Sequence, residues 1–333
     1  EISPIIINDN VIDITMTPTR PGQRVAAETR PATGVYRFDV RARTVAPGGE
    51  LDLHVGRPHA GRVLVRGTIP AGTDPVVQVL RVPRPAYLAR SLFYDALQRA
   101  GVRVDAPRVG PNRAGALPPQ RQLLQRRRDA LRVSPPLSEF VKLISKVSHN
   151  PGSNTAPFWI GAEAGHPTME GGMREIRAFL RRAGIDPDQF ELVDGQGGPG
   201  NKFSPTAMVE LLDYVQDQPY AKAFLTALPV KGVDGLPEDP ELDPATGHVF
   251  QKNGVNGALD ANDRIEVQAM ALAGYARAGR RLLAFDLVAN HIPVVDSDGN
   301  PSQAPGDLVA AFTRFQYHEA ITSLLYTSQL GSG

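Results

Sequence analysis

The stretch Gln268–His291, QAMALAGYARAGRRLLAFDLVANH, constrains this chain more than any other. It is strongly apolar on both sides of Ala278-Gly279, and it reads as two strands joined there in an antiparallel hairpin with an apolar face. A lone hairpin is marginal in water, so this one requires further strands and a covering layer. HVFQKNG (His248–Gly254) supplies a strand just upstream, and helices flank both. The expected fold class is therefore α/β of the α+β kind, an antiparallel sheet covered by helices.

The helices can be placed from their punctuation. In SPPLSEFVKLISKVSHN (Ser134–Asn150), two prolines precede Leu137, Phe140, Val141, Ile144 and Val147 at helical spacing, which predicts a buried helix starting just after them. Pro151-Gly152 is expected to stop it, leaving Ser148, His149 and Asn150 at its end. The sequel PGSNTAPFWIGAEAGHPT shows no assignable period and is expected to be irregular. MEGGMREIRAFLRRAGI reads as a helix ending at Ala183-Gly184, and Phe203–Tyr214 as another with Ser204 at its N-cap and Pro205 in first position. Between them DGQGGPG (Asp194–Gly200) reads as a flexible turn, without the G-x-G-x-x-G spacing or the strand–helix context of a dinucleotide site. A last helix is expected over residues 306–325.

The leading part differs in kind. IIIN, VIDITMTP, VYRFDVRART, ELDLHVG, RVLVRGTIP and VVQVLRV are short β-branched runs separated by turn residues. They are followed by an amphipathic helix, Tyr87–Gly101, and an expected strand VRVD. The Pro- and Gly-rich PRVGPNRAGALP then reads as a linker. This predicts a β-rich accessory domain over 1–106, a linker over 107–118 and a second domain over 119–333.

Bulk properties narrow the function. Lys plus Arg is 36 against 35 Asp plus Glu, so the whole chain has no net field to attract nucleic acid, and Arg126-Arg127-Arg128 reads as a solvated face. No apolar run is long enough for a membrane span. The absence of cysteine excludes disulfides, a thiol nucleophile and thiolate metal sites. The seven histidines (54, 59, 149, 166, 248, 291, 318) show no ligand spacing, so neither metal nor other cofactor is expected.

Two short motifs carry chemistry. Ser148 and Asn150, one residue apart at a helix end, can face one pocket, the hydroxyl passing a proton and the carboxamide holding a substrate amide. Lys252 puts an ammonium on a strand edge that continues through Asn253, Gly254 and Val255, where an extended peptide could add by backbone hydrogen bonds with Lys252 meeting its carboxylate.

Taken in order, SPPLSEFVKLISKVSHN, LVDGQGGPGNKFSPTAMVELLDY, ALPVKGVDG, HVFQKNG and the hairpin resemble the C-terminal half of low-molecular-mass class C penicillin-binding proteins, the D-alanyl-D-alanine carboxypeptidase/endopeptidase family. NDNVIDITMTP extends the resemblance toward the N-terminus. It implies a penicillin-binding-protein/β-lactamase-like sheet and a serine acyl-enzyme acting on peptidoglycan stem peptides outside the cytoplasm, periplasmic or extracellular. Such enzymes combine S-x-x-K, S-x-N and K-T-G. By position Ser148 would relay protons, Asn150 would clamp the amide, and Lys252 would bind the terminal carboxylate, with Asn253, Gly254 and Val255 as the substrate-binding edge. β-Lactams and peptidoglycan peptides are the implied ligands.

The chain also departs from the family. No serine has lysine three positions later, so the nucleophile is not here. K-T-G is replaced by Lys252-Asn253-Gly254, Pro151-Gly152 follows Asn150, and DGQGGPG lacks the serine of D-G-S-G. Lys231 in ALPVKGVDG is set aside as a loop lysine. Two readings follow: part of a DD-peptidase whose site an upstream segment of the same protein completes, or a non-catalytic relative that binds cell-wall peptides or a protein partner. A related serine esterase or β-lactamase would need the same missing serine.

Overall fold

In a computed structural model of the 333-residue chain, the residues described are 2–3, 5–111, 115, 118–127, 130–235, 245–259, 264–302, 307–308 and 310–311. The chain divides into two compact units, Glu1–Leu131 and Arg132–Gly333.

The first unit holds strands β1 (Val11–Thr17), β2 (Ala26–Arg30), β3 (Arg37–Val40), β4 (Arg43–Val45), β5 (Asp52–Val55), β6 (Arg62–Pro70) and β7 (Val76–Arg81), then helices α1 (Pro85–Arg99) and α2 (Gln120–Gln125). One antiparallel sheet has the order β2-β1-β7. A second is built on β6, with β3 and β4 parallel to it and β5 antiparallel. Strand alternation puts Ile12, Ile14 and Met16 of β1 and Val63, Val65 and Ile69 of β6 into one core with Leu80 and Leu88. Two expected strands are absent. Beyond the IIIN run, Asn8, Asp9 and Asn10 all take positive φ, a region Asn and Asp tolerate, and this ends the extended chain before β1. VRVD pairs with no neighbour among the described residues, and Arg103 instead bonds Asp105 in exposed irregular chain. Conversely AAETR, with no strong apolar alternation, forms β2 because it lies beside β1.

The second unit holds α3 (Leu137–Lys146), α4 (Asn150–Glu163), α5 (Met169–Arg182), β8 (Phe190–Glu191), β9 (Lys202–Phe203), α6 (Pro205–Gln216), α7 (Ala221–Ala227), β10 (Val249–Leu259), β11 (Ile265–Ala278) and β12 (Arg281–Pro293). The last three form an antiparallel sheet in the order β10-β11-β12, with the hairpin turn at Gly279 as expected. On one face Val249, Leu272 and Ala276 are buried with Phe285 and Leu287. On the other, Tyr275 packs under α6 and α7 against Leu212 and Leu228, and its hydroxyl donates to Leu212 O at 2.7 Å. Ser204 caps α6, accepting from Ala207 N at 3.0 Å, with Pro205 in the first turn.

Two expectations fail here. The segment after Asn150 is the helix α4, not irregular chain. Pro151 falls in its first turn, where no donor is needed, and His149 caps it by accepting Gly152 N on Nδ1 at 3.1 Å. Its crossing with α5 depends on a glycine of that helix: a Cβ on Gly172 would lie 1.8 Å from Pro157 O. The helix α3 starts just after the prolines as expected, but it ends at Lys146, ahead of Pro151-Gly152, which fall in the first turn of α4 instead of stopping α3, and it is not buried. Leu137 is 63% and Leu143 57% exposed, because among the described residues α3 rests mainly on α7 and touches α4. The expected last helix lies largely outside the described residues; Leu308 and Ala311 pack against Ile265, Val267, Met270 and Val294.

Candidate active site

The site begins with how α3 ends. His149 N donates to Ile144 O at 2.9 Å and Ser148 N to Ser145 O at 3.4 Å, the two bonds of a Schellman motif. The residue in its left-handed position is Ser148, with φ +51°. Glycine is usual there, since a Cβ costs about 1 kcal/mol in that conformation. The left-handed step turns the chain from α3 into α4 and directs the Ser148 hydroxyl toward β10.

Across from it stands Lys252. Its ammonium donates to Ser148 Oγ at 2.9 Å, joining residues 104 apart in sequence, and to the Asn253 carbonyl. Among the described residues no carboxylate pairs with it, and burial pushes its pKa down to about 8. A strongly desolvated, unpaired ammonium that still holds its charge near neutrality is poised for an anion. Asn150, the first residue of α4, lines the same cavity of about 820 Å³ as Ser148, Lys252, Asn253, Gly254 and Val255. A Cβ on Gly254 would meet nothing within 4 Å, so the strand is open above it.

On its outer side β10 is engaged by the segment before it only near its start, where Lys231 N donates to Val249 O and Gln251 N to Pro229 O, each at 2.9 Å. Beyond Gln251 no described strand lies on that side. Lys231 itself is buried in this turn, 3% exposed, and lines no part of the cavity.

Three supporting features go beyond the motifs singled out in the sequence. Lys146, one turn-end before Ser148, donates to Leu228 O at 2.6 Å and to Asp234 Oδ1 and Oδ2 at 2.6 and 2.8 Å. Asp234 also accepts Val230 N at 2.9 Å, so the end of α3 is tied to the segment that pairs with β10. The glycine loop is not a loose turn. Asp194 Oδ1 accepts Gln196, Gly197 and Gly198 N and Asn201 Nδ2 within 2.8–3.1 Å, and Gly195 N donates to Asn154 Oδ1 at 2.9 Å. The missing donor of Pro157 frees the carbonyl of Ser153, and Gly195 lies against it, where a Cβ would come within 2.3 Å.

Third, a groove of about 1200 Å³ adjoins the cavity through Lys252, Asn253 and Gly254. Ala269, Ala271 and Ala273 form its floor, flanked in register by Lys252 and Asp286 on the outer strands. Burial raises the Asp286 carboxyl to about 6, opposed by a hydrogen bond from the Leu287 backbone. The only sequence signal for this groove was the run of alternate alanines.

An antiparallel sheet with a lysine on its edge strand facing a Ser-x-Asn helix end defines the penicillin-binding class of fold. Two crystal structures of penicillin-binding protein 4 from Haemophilus influenzae match it, each with a TM-score of 0.66. The one in complex with a β-lactam is 19% identical and covers 95% of this chain and 69% of its own, and the other is 18% identical and covers 94% and 66%. The chain belongs to the D-Ala-D-Ala carboxypeptidase 3 (S13) family, whose model matches residues 1–312. It is 30% identical over 283 residues to the D-alanyl-D-alanine carboxypeptidase of Actinomadura sp. (strain R39), covering 84% of this chain and 51% of that protein. The chain thus spans about half the length of that relative. The resemblance to low-molecular-mass class C penicillin-binding proteins and the α/β fold class hold. Among the described residues no helix is long and apolar enough to cross a membrane.

Proposed function

We propose that this chain carries two of the three elements of a serine-type D-alanyl-D-alanine carboxypeptidase/endopeptidase acting on peptidoglycan stem peptides in the periplasm or outside the cell. The observation that carries this reading is the 2.9 Å contact between Lys252 Nζ and Ser148 Oγ at a cavity that Asn150 also lines. Ser148 relays the proton toward the leaving amine, Asn150 orients the acyl-side amide, and Lys252 takes the terminal carboxylate of a peptide laid along Asn253, Gly254 and Val255. The Lys252 ammonium also polarises the Ser148 hydroxyl, which makes that hydroxyl a better donor to the nitrogen that departs.

The acyl-forming serine and its lysine base belong, in this reading, to an upstream segment bearing S-x-x-K. The exposed apolar stripe of α3 and the open alanine floor beside Lys252 support it, since both are surfaces that a further packed element would cover. Residues 1–106 are then an accessory domain, 107–118 a linker, and 119–333 the C-terminal part of the transpeptidase-like domain.

The test is the intact mass after incubation with a penicillin, for this chain and for a longer version that includes the S-x-x-K. An adduct only on the longer version establishes the reading. No adduct on either moves the assignment to a non-catalytic binder of cell-wall peptides, for which Asn253 in place of a threonine would be the trace of lost catalysis.

A further inference from the structure

The near-zero net charge of the whole chain conceals a division. Residues 1–131 contain twenty arginines, no lysine and eleven acidic residues, a net +9; residues 132–333 contain sixteen basic and twenty-four acidic residues, a net −8. A compact unit with so large an excess of guanidinium groups carries a field that concentrates anions at its surface.

The excess is also organised. On the β6 sheet Arg37 of β3 stands in register beside Arg62 of β6, and Arg24 bridges to Arg43. Like charges on neighbouring strands oppose each other unless something lies between them. Arg24, Arg37 and Arg62 line a cavity of about 430 Å³ together with Phe38, Asp39 and Val40. Its one carboxylate is already engaged: Asp39 Oδ2 accepts Arg41 Nε at 3.0 Å and Nη2 at 2.7 Å. That hydrogen bonding, with the charges of Arg41, Arg62 and Arg24, holds the Asp39 carboxyl below its usual range. The guanidinium groups of Arg24, Arg37 and Arg62 make no hydrogen bond or ion pair with any described residue.

We propose that this cavity binds a phosphodiester polymer of the polyol-phosphate kind, one backbone phosphate lying between Arg37 and Arg62 with Arg24 beside it. Arg37 and Arg62 rise side by side from neighbouring strands, whose backbones lie about 5 Å apart, and two guanidinium forks lining one cavity can each take one non-bridging oxygen of a tetrahedral phosphate. A planar carboxylate would be satisfied by a single fork. Nucleic acid is disfavoured because single strands need aromatic faces for their bases, and the one aromatic here, Phe38, packs against the core. The inference rests on the first unit alone and stands or falls independently of the catalytic reading.

The experiment titrates the full chain with polyglycerol phosphate at several salt concentrations. One bound phosphate gives a shallow slope of log K against log salt, about −0.7 to −0.9, so a fourfold rise in salt weakens binding roughly threefold. The triple variant Arg24→Gln, Arg37→Gln, Arg62→Gln is expected to lose at least about tenfold in affinity and to flatten that slope. These side chains are exposed, and an unchanged melting temperature verifies that the variant is folded. The control triple Arg81→Gln, Arg99→Gln, Arg103→Gln removes the same charge from elsewhere on the unit and retains the binding. Replacing the three site arginines by lysine lowers affinity as well, because the forks are lost. Equal loss in the control triple overturns the proposal in favour of a diffuse field. Unchanged binding in the site triple overturns it outright, and tighter binding of a single-stranded oligonucleotide than of the polyol phosphate reassigns the surface to nucleic acid.

Discussion

At Ser148 conformation and chemistry pull in opposite directions. The left-handed position of a helix-ending motif favours glycine, yet a hydroxyl stands there, 2.9 Å from Lys252. Ser148→Gly and Ser148→Ala both delete the hydroxyl, so their difference isolates the backbone. The glycine variant should be the more stable by about 1 kcal/mol, the reverse of the usual helix order, and thermal unfolding measures it. Equal midpoints would mean that the left-handed step carries no strain. Lys252 offers a second reading at the same scale. Its ammonium should titrate near pH 8, visible by NMR of the lysine side chain, and carboxylate binding should weaken as pH rises through that value. Because the folded chain releases this proton before the unfolded chain does, the Lys252 contribution to stability rises between about 8 and 10.5. A midpoint at the ordinary lysine value would show that the side chain is solvated rather than buried.

Among the α-helices of the second unit, α3 is the one with no buried residue, and it depends on a polar tie. None of its residues is buried, whereas Lys146, 15% exposed at the side chain, makes three bonds to the 228–234 segment. Lys146→Met should therefore cost about 1–2 kcal/mol and, more tellingly, speed amide exchange in residues 137–148 while leaving β11 protected. Uniform loss of protection would make the residue a general stabiliser, not a tether of this helix. The same element shows what sequence could and could not disclose. Helical spacing and two prolines located α3, and Ala278-Gly279 located the hairpin, because both signals are local. The course of α4 was obscured by Pro151 and Pro157, which look like breakers; the first sits where a helix tolerates proline, and the carbonyl freed by the second meets Gly195. Ser148, Asn150 and Lys252 could be nominated from short motifs. The Asp234 tie, the Asp194 carboxylate inside the glycine loop and Asp286 across the alanine floor could not, since each acquires its role only from a partner brought close by the fold.

For the whole molecule the telling quantity is apolar surface without a cover. Leu137, Phe140, Val141, Leu143 and Val147 are exposed along α3, Trp159 and Ile160 on α4, and Val255, Val288 and Ile292 on the sheet. Scattered exposed hydrophobics are ordinary, but the first group forms one helical stripe, and Trp159 meets Phe140 edge-on with ring centres 6.1 Å apart. Water should not tolerate that stripe without consequence. The chain by itself is therefore expected to bind a hydrophobic dye and to self-associate as its concentration rises, both followed readily by fluorescence and light scattering. Leu137→Glu with Leu143→Glu should suppress both effects while lowering stability by no more than about 0.5 kcal/mol each, because both side chains are largely exposed. A longer protein that includes the S-x-x-K segment should be silent to the dye, and there the same two substitutions should destabilise by several kcal/mol, as charges forced into a packed face do. If instead the longer protein tolerates them as easily as the chain alone, the stripe is free in both, and α3 must present it to something other than the segment that completes the site.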